Sequence, residues 1–360
     1  MLLTFPHMGT LYIVLETLFK GLDIEVLTPP PMTRETLEIG AKYSPETACL
    51  PFKMNLGNFI QSLSRGADTI ITCGGEGPCR LGYYAEVQKN ILAELGYKFK
   101  IIAIEPNFRH VWQVFNQLTG KCSWQKIYRT FKLAGAKLSA LDYIERQSWF
   151  YRPREAMYGQ VDALRGETVK LLCKANDLVS VDNALAGFDG GLAKLVLKKS
   201  ENPLRIGIVG EIYVMLDNFI NHELTQKLGR MGVEVYGTTL LGDYVRTHLV
   251  KNRKAWNVYQ TVLRQALPYL GHYVGGHGIK SIGYTAKLAQ EGFDGIIHVF
   301  PFTCMPEVIA KNILPEASRK LDIPVLSLAF DEQTGIAGMV TRLEAFVDLL
   351  AYRRRKLVQG

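Results

Sequence analysis

No apolar run in this chain approaches the ~18 uninterrupted residues that a membrane span needs, so no membrane partner is expected. A secretory leader is missing too: Met1-Leu2-Leu3-Thr4-Phe5 has no basic segment and is cut short by Pro6. The expected location is the cytoplasm. Basic residues are not interleaved with aromatics on one face, so a formal charge of +8 does not point to nucleic acid. Part of that surplus sits in Arg353-Arg354-Arg355-Lys356, which reads as a solvated helix end, where cations suit the dipole. Two nucleotide signatures are incomplete. Ile206-Gly207-Ile208-Val209-Gly210-Glu211 is not Gly-x-Gly-x-x-Gly, which argues against NAD at this position. Gly275-Gly276-His277-Gly278-Ile279-Lys280-Ser281 lacks the glycine before the lysine and a strand leading in, so it reads as a turn into a helix.

What the chain has is cysteine in patterned places. Six cysteines in a reducing compartment argue for metal or redox chemistry over structural disulfides. Thr72-Cys73-Gly74-Gly75-Glu76-Gly77-Pro78-Cys79-Arg80 follows the short apolar run Asp68-Thr69-Ile70-Ile71. Downstream, Asp294-Gly295-Ile296-Ile297-His298-Val299-Phe300 runs into Pro301-Phe302-Thr303-Cys304-Met305-Pro306-Glu307. Both read as strand ends carrying cysteines.

At 360 residues the chain is long enough for two or three domains. Residues 1–106 alternate strand and helix patterns: Leu2–Phe5, a helix over Gly9–Lys20, a strand at Ile24–Leu27 stopped by Pro29-Pro30-Pro31, and a helix capped by Thr33. A loop through Cys49 then enters a helix from Met54 to Ser64, before strands at Thr69–Thr72 and Phe99–Ile104. Residues 107–202 read as mainly helical, with a strand signal only at Val179-Ser180-Val181 and a glycine loop at 186–192. Residues 203–360 return to alternation, with strands near 204–210, 233–236, 295–299 and 323–328 and a helix over Glu211–Arg230. Alternation of this kind implies parallel sheets, with functional loops beyond the carboxyl ends of the strands. Lys89-Asn90-Ile91-Leu92 recurs as Lys311-Asn312-Ile313-Leu314, each in the helix after its cysteine. The expected fold is α/β: two similar parallel-sheet (Rossmann or flavodoxin-like) domains face each other, with a largely helical middle section.

Cluster-ligating thiolates need backbone that can come close and donors that disperse charge. Glycine permits the first, and amides at a helix N-terminus supply the second. Cys79, Cys304 and Cys49 each precede a helix, the latter two with proline in its first turn, so these three are the leading ligand candidates, with Cys73 next. The competing reading of each is a buried free thiol. That reading is stronger for Cys173, inside an apolar helical run, and balanced for Cys122. The spacings match neither a ferredoxin nor a zinc finger. Of the polar residues near the rim, His277 and Glu307 are weak candidates for a catalytic role.

These stretches carry a resemblance. Pro29-Pro30-Pro31, Ala48-Cys49-Leu50-Pro51-Phe52-Lys53, Gly210-Glu211-Ile212-Tyr213, the Asp294–Glu307 run, Asp331-Glu332-Gln333-Thr334-Gly335 and Thr341-Arg342-Leu343-Glu344-Ala345-Phe346 resemble the 2-hydroxyacyl-CoA dehydratase and benzoyl-CoA reductase superfamily. The nearest branch is the CoA protein activase, or acyl-CoA dehydratase activase-related, group. The resemblance implies an iron-sulfur cluster held by Cys49, Cys79 and Cys304 between two α/β domains, with Cys73 as a further ligand. A [4Fe-4S] cluster with an open site is the leading expectation and a double-cubane [8Fe-9S] cluster the other. It also implies an anaerobic setting, an ATP-hydrolysing, cluster-containing activase as electron donor, a small-molecule substrate and a homodimer. Against the reductase reading stand a non-catalytic electron carrier or maturation partner and, third, a zinc-binding structural protein.

Overall fold

The computed structural model describes residues 1–75, 78–105, 108–120, 122–198 and 202–359. Glu76 and Gly77 of the glycine-rich stretch, and the expected boundary between residues 106 and 107, lie outside the described residues. The architecture is α/β, with two parallel sheets and a mostly helical middle. The first sheet holds β1 (Leu3–Thr4), β2 (Thr69–Cys73) and β3 (Lys100–Ile104), in the order β1-β2-β3. The second holds β4 (Leu204–Gly210), β5 (Val233–Gly237), β6 (Gly295–Pro301) and β7 (Val325–Phe330), in the order β5-β4-β6-β7. Every pairing is parallel.

The strand expected at Ile24–Leu27 is reduced to a single parallel bridge between Val26 and Leu3. Two hydrogen bonds hold it, Leu3 N to Glu25 O at 3.0 Å and Leu27 N to Leu3 O at 2.8 Å. Asp23 at φ 61° precedes it and the proline run follows, so the segment has no room to lengthen. It flanks β1 on the side away from β2, as β5 flanks β4. The two sheets therefore share one order, and in each the strand that runs into a cysteine turn, β2 or β6, leads through a helix to its parallel neighbour.

The first sheet carries α1 (Leu11–Gly21), α2 (Arg34–Tyr43), α3 (Leu50–Ser64) and α4 (Tyr84–Glu94). The middle comprises α5 (Phe108–Thr119), α6 (Trp124–Tyr151), α7 (Gln160–Lys174) and α8 (Leu178–Ala193). After β4 come α9 (Ile212–Leu216), α10 (Leu224–Arg230), α11 (Leu241–Tyr244), α12 (Arg253–Ala266), α13 (Gly278–Gln290), α14 (Met305–Leu321) and α15 (Ile336–Gln359). The four-residue repeat lies in α4 and α14, as expected. Among the described residues no helix is long and apolar enough to cross a membrane.

Three local expectations change. First, α3 starts at Leu50 rather than Met54, because Pro51 fits the first turn and Cys49 takes the cap. Second, the strand signal at Val179–Val181 and the glycine loop at 186–192 are one helix, α8. Asp177 caps it, accepting from Ser180 N at 2.7 Å, and Gly191 lets it approach α7 so closely that a Cβ there would lie 2.6 Å from Leu164. Third, the helix expected over Glu211–Arg230 is broken into α9 and α10. Asp217 turns the chain between them, accepting from Phe219 N at 3.1 Å and Ile220 N at 3.3 Å, before His222 and Glu223 adopt positive φ.

One core runs across both α/β units: Met32, Leu50 and Met54 pack with Ile206, Val214, Val299 and Phe330. Helices α2 and α3 touch backbone to backbone, since a Cβ on Gly40 would fall 1.8 Å from Lys53 O and one on Gly57 2.0 Å from Thr36 O. That contact fixes the axis of α3 and hence the position of Cys49. Lys53, 5% exposed, is buried by the same packing and reaches the second unit through Glu332 Oε1 at 2.6 Å. Removing one partner of such a pair strands a buried charge. Glu332→Ala should destabilise the protein by about 2–3 kcal/mol, a value set below the range for fully buried pairs because Glu332 is 31% exposed. The pair replacement Lys53→Met with Glu332→Leu should cost less than the single change; urea unfolding of the three proteins checks the ranking.

Candidate functional site: a thiol-lined cleft

Each of the three leading cysteines sits at a helix N-cap. Cys49 precedes α3 with φ −73° and ψ 157°, and Cys304 precedes α14 with φ −73° and ψ 105°. Cys79 precedes the 3-10 turn Arg80–Tyr83, which feeds α4, with φ −70° and ψ 134°. Extended backbone at the cap turns each side chain toward the free amides of the first turn. The amides of Phe52, Leu81 and Glu307 act on the three sulfurs and favour thiolate, although none forms a full capping hydrogen bond.

The three thiols come from elements far apart in the chain and share their surroundings. Burial is the main influence on all three and pushes their pKa values up, Cys304 furthest. Glu211 raises each of them further by its charge, and Cys49 does the same to Cys304. Arg80 works in the opposite direction on Cys49 and Cys79. Its guanidinium also braces the cleft, donating to Thr47 O at 2.8 Å on the Cys49 loop and to Thr303 O on the Cys304 loop. The Tyr84 hydroxyl meets Cys49 Sγ, and burial, reinforced by Cys49, pushes its pKa well up.

Glu211 ends β4 and caps α9, accepting from Val214 N at 3.0 Å. Burial pushes its carboxyl up to about 7, against the amides of Tyr213 and Val214 that hold it down. Gly275, at φ +88°, abuts Cys79 so closely that a Cβ would lie 3.0 Å from Cys79 N, and one on Gly278 would lie 2.3 Å from Pro306 O. The glycines of 275–278 thus serve close approach to the two cysteine turns, and Ser281 is spent on Glu307, so this stretch offers no phosphate loop.

Glu307 is fully buried on α14. It accepts from Ser281 Oγ at 2.9 Å and is paired with His298 Nε2 at 2.8 Å, while His298 Nδ1 meets Ser327 Oγ at 3.2 Å. Its Oε1 is buried without a hydrogen-bond partner. His277 caps α13 beside the cleft, and burial, with Lys280 and His248 nearby, holds its pKa well down.

Cys73 stands apart from the trio. It ends β2, where it is solvent-accessible although much of the surrounding volume is protein. Burial, then Glu105, raises its pKa, and its charge acts on Tyr244 across the cleft. Cys122 packs into the core of the first sheet near Phe5 and Ile71, and Cys173 is exposed on α7. Cys49, Cys79 and Cys304 are thus linked through the charge of Glu211, Glu307 acts on Cys304, His277 follows the glycines that abut Cys79 and Pro306, and Cys122 and Cys173 lie outside this set. A cavity of about 260 Å³ opens elsewhere, among His7, Met32, Leu141, Trp149 and Asp217, and no cysteine lines it.

Sequence reasoning passed over Glu211, Arg80, Tyr84 and Gly275. Glu211 and Arg80 each carried a local signal, a polar residue directly after a strand end or a cysteine. Tyr84 and Gly275 carried none, since only packing brings them to the thiols. Among the described residues no three His, Cys, Asp or Glu groups converge on one point, as a mononuclear metal site requires. An inorganic core of several atoms spaces its ligands more widely, and three cap thiols around one hollow, with amides aimed inward, match that donor set.

The raised pKa of Glu211 makes the metal-free protein pH-sensitive. A carboxyl at about 7 when folded, against 4.5 when free, contributes stability that is full below 4.5 and lost as pH rises through 7. Glu211→Gln keeps the cap oxygen and removes the titration. The variant should gain on wild type between pH 5 and pH 8 by at most ~3 kcal/mol. Unfolding curves of both proteins across that range check this; a pH-independent difference would contradict it.

The family described as CoA enzyme activase uncharacterised domain matches residues 6–72, the stretch that carries α1, α2, α3 and Cys49. No curated protein matches the sequence. Among solved structures, one titled crystal structure of SsGBP and GDP complex is 11% identical over 97% of this chain and 98% of its own, with a TM-score of 0.24, a likeness too weak to bear on fold or ligand. Over residues 6–72 the chain is thus similar to a domain named for CoA enzyme activases.

Proposed function

We propose that this protein is the cluster-bearing component of a low-potential reductase of the 2-hydroxyacyl-CoA dehydratase type. Cys49, Cys79 and Cys304 are the ligands of a single iron-sulfur cluster between the two α/β units. An ATP-hydrolysing partner supplies electrons, and a small substrate is reduced in the cleft. One observation supports this reading: three cysteines from separate segments each sit at a helix N-cap and share the charge of Glu211, with Arg80 tying the loops before Cys49 and Cys304. Similarity to a CoA enzyme activase domain supports a role beside an enzyme partner. The placement of Cys122 and Cys173 favours one four-iron cluster over a six-cysteine double cubane.

When bound, such a cluster supplies one-electron chemistry at low potential, set by charge, hydrogen bonds and burial. The chain's own groups set those terms. Amides at positions 52, 81 and 307 face the sulfurs, Arg80 adds positive charge, and the Tyr84 hydroxyl touches Cys49. Glu211 holds a proton near neutral pH beside all three thiols. Cys73, with Glu105 behind it, lines the approach.

Protein purified or reconstituted without oxygen should contain about four irons and as many labile sulfides per chain. Cys49→Ser, Cys79→Ser and Cys304→Ser should each lower iron content and alter the EPR signal, whereas Cys122→Ser and Cys173→Ser should not. ATP-dependent substrate reduction should vanish in Cys304→Ala. Reconstituted protein without iron would overturn the proposal; iron without turnover under any substrate would favour the electron-carrier reading.

A further inference from the structure

Between α11 and α13 lies a cluster that the cysteine reading leaves without a role. A π-turn over Val245–Leu249, closed by Val250 N to Val245 O at 2.9 Å, follows α11 directly. Such turns are rare and frequent at functional sites. Here the turn sets His248 against Tyr244, ring centroids 4.7 Å apart, and against Tyr259 on α12 at 5.1 Å. His277 lies 6.5 Å from Tyr244, and the ammonium of Lys280, in the first turn of α13, is 6.0 Å from the Tyr259 ring. The charge of Cys73 reaches Tyr244, which puts this cluster near the end of β2.

Lys280 is half-buried and forms no ion pair among the described residues. The two carboxylates whose charge reaches it, Glu307 and Asp243, are committed elsewhere. Glu307 holds Ser281 and His298. Asp243 pairs with Arg146 at 2.6 Å and Arg246 at 2.9 Å. A half-buried cation whose neighbouring carboxylates are already paired keeps its donors available to an incoming anion. Burial and Lys280 together hold His248 and His277 neutral, so the rings and the phenols around the lysine add hydrogen-bonding groups and aromatic surface but no second positive charge. Glu105 acts by its charge on Cys73 and not on Lys280. One cation among neutral partners, with the nearby carboxylates paired to other groups, suits a single negative charge better than a double one.

We propose that Lys280, with Tyr244, His248, Tyr259 and His277, anchors a small monocarboxylate beside the cysteine rim. This deepens the proposed function by giving its substrate a class, and it rests on that reading only for what happens to the ligand after it binds.

The test uses metal-free full-length protein, so its failure is separate from a failure to bind iron. Calorimetric titration with propionate at pH 7 should show one saturable site, and sulfate at matched ionic strength should bind at least about tenfold more weakly. Lys280→Gln should weaken propionate by about tenfold or more, the range for a charged hydrogen bond, and Lys280→Arg should restore part of the loss. Wild-type affinity should also fall as pH rises from 8 to 10, because burial holds the Lys280 pKa down to about 8 and an anion binds only the protonated form. That profile decides the matter even if the glutamine variant does not fold. Unchanged affinity in a folded Lys280→Gln protein, sulfate binding as strong as propionate, or pH-independent binding would each overturn the assignment.

Discussion

The molecule is organised around helix amino ends brought together across a domain boundary. Helices α3 and α14 and the turn leading into α4 each direct first-turn amides and the positive end of a dipole toward a cap cysteine. These amides favour negative charge at the three sulfurs, while burial and Glu211 oppose it. Dipole effects amount to ~0.3–1 kcal/mol each, and burial outweighs them, so the thiols stay protonated in the metal-free protein. Under the proposed function, a multivalent cation core would be what shifts these thiols to thiolate.

Much of the remaining architecture serves to hold those ends in register. The glycine contact of α2 with α3 fixes the helix behind Cys49, and Lys53 carries that helix to Glu332. Arg80 links the loops before α3 and α14. Gly275 and Gly278 let the start of α13 lie on Cys79 and Pro306 without the bulk of a Cβ. The common strand order of the two sheets explains why the cysteine turns are comparable, since each follows a strand that is paired on both sides and leads through a helix to the next strand.

The buried pair of His298 and Glu307 gives the second unit a polar spine, tied to α13 through Ser281 and to β7 through Ser327. Glu307 acts by its charge on both Cys304 and Lys280. Both regions therefore depend on the position of α13, which carries His277 and Lys280 on one side and packs its glycine turn against the cysteine loops on the other.

The sequence by itself determined the alternation of strand and helix, the equivalence of the two α/β units and the capping setting of Cys49, Cys79 and Cys304. Those are local properties: hydrophobic period, proline in a first turn, glycine after a strand. Local signals misled where long-range contacts intervene. The glycines at 187–191 lie in a helix because α7 packs against it, and Asp217 breaks a continuous helical pattern to meet Gly9 N at 3.1 Å, more than two hundred residues away. Only the tertiary structure decided which cysteines meet, because spacing along the chain carries no information about distance between sheets. For the same reason it alone revealed the charge of Glu211 on all three thiols and left Lys280 without an ion pair among the described residues, since burial and pairing are properties of the packed chain.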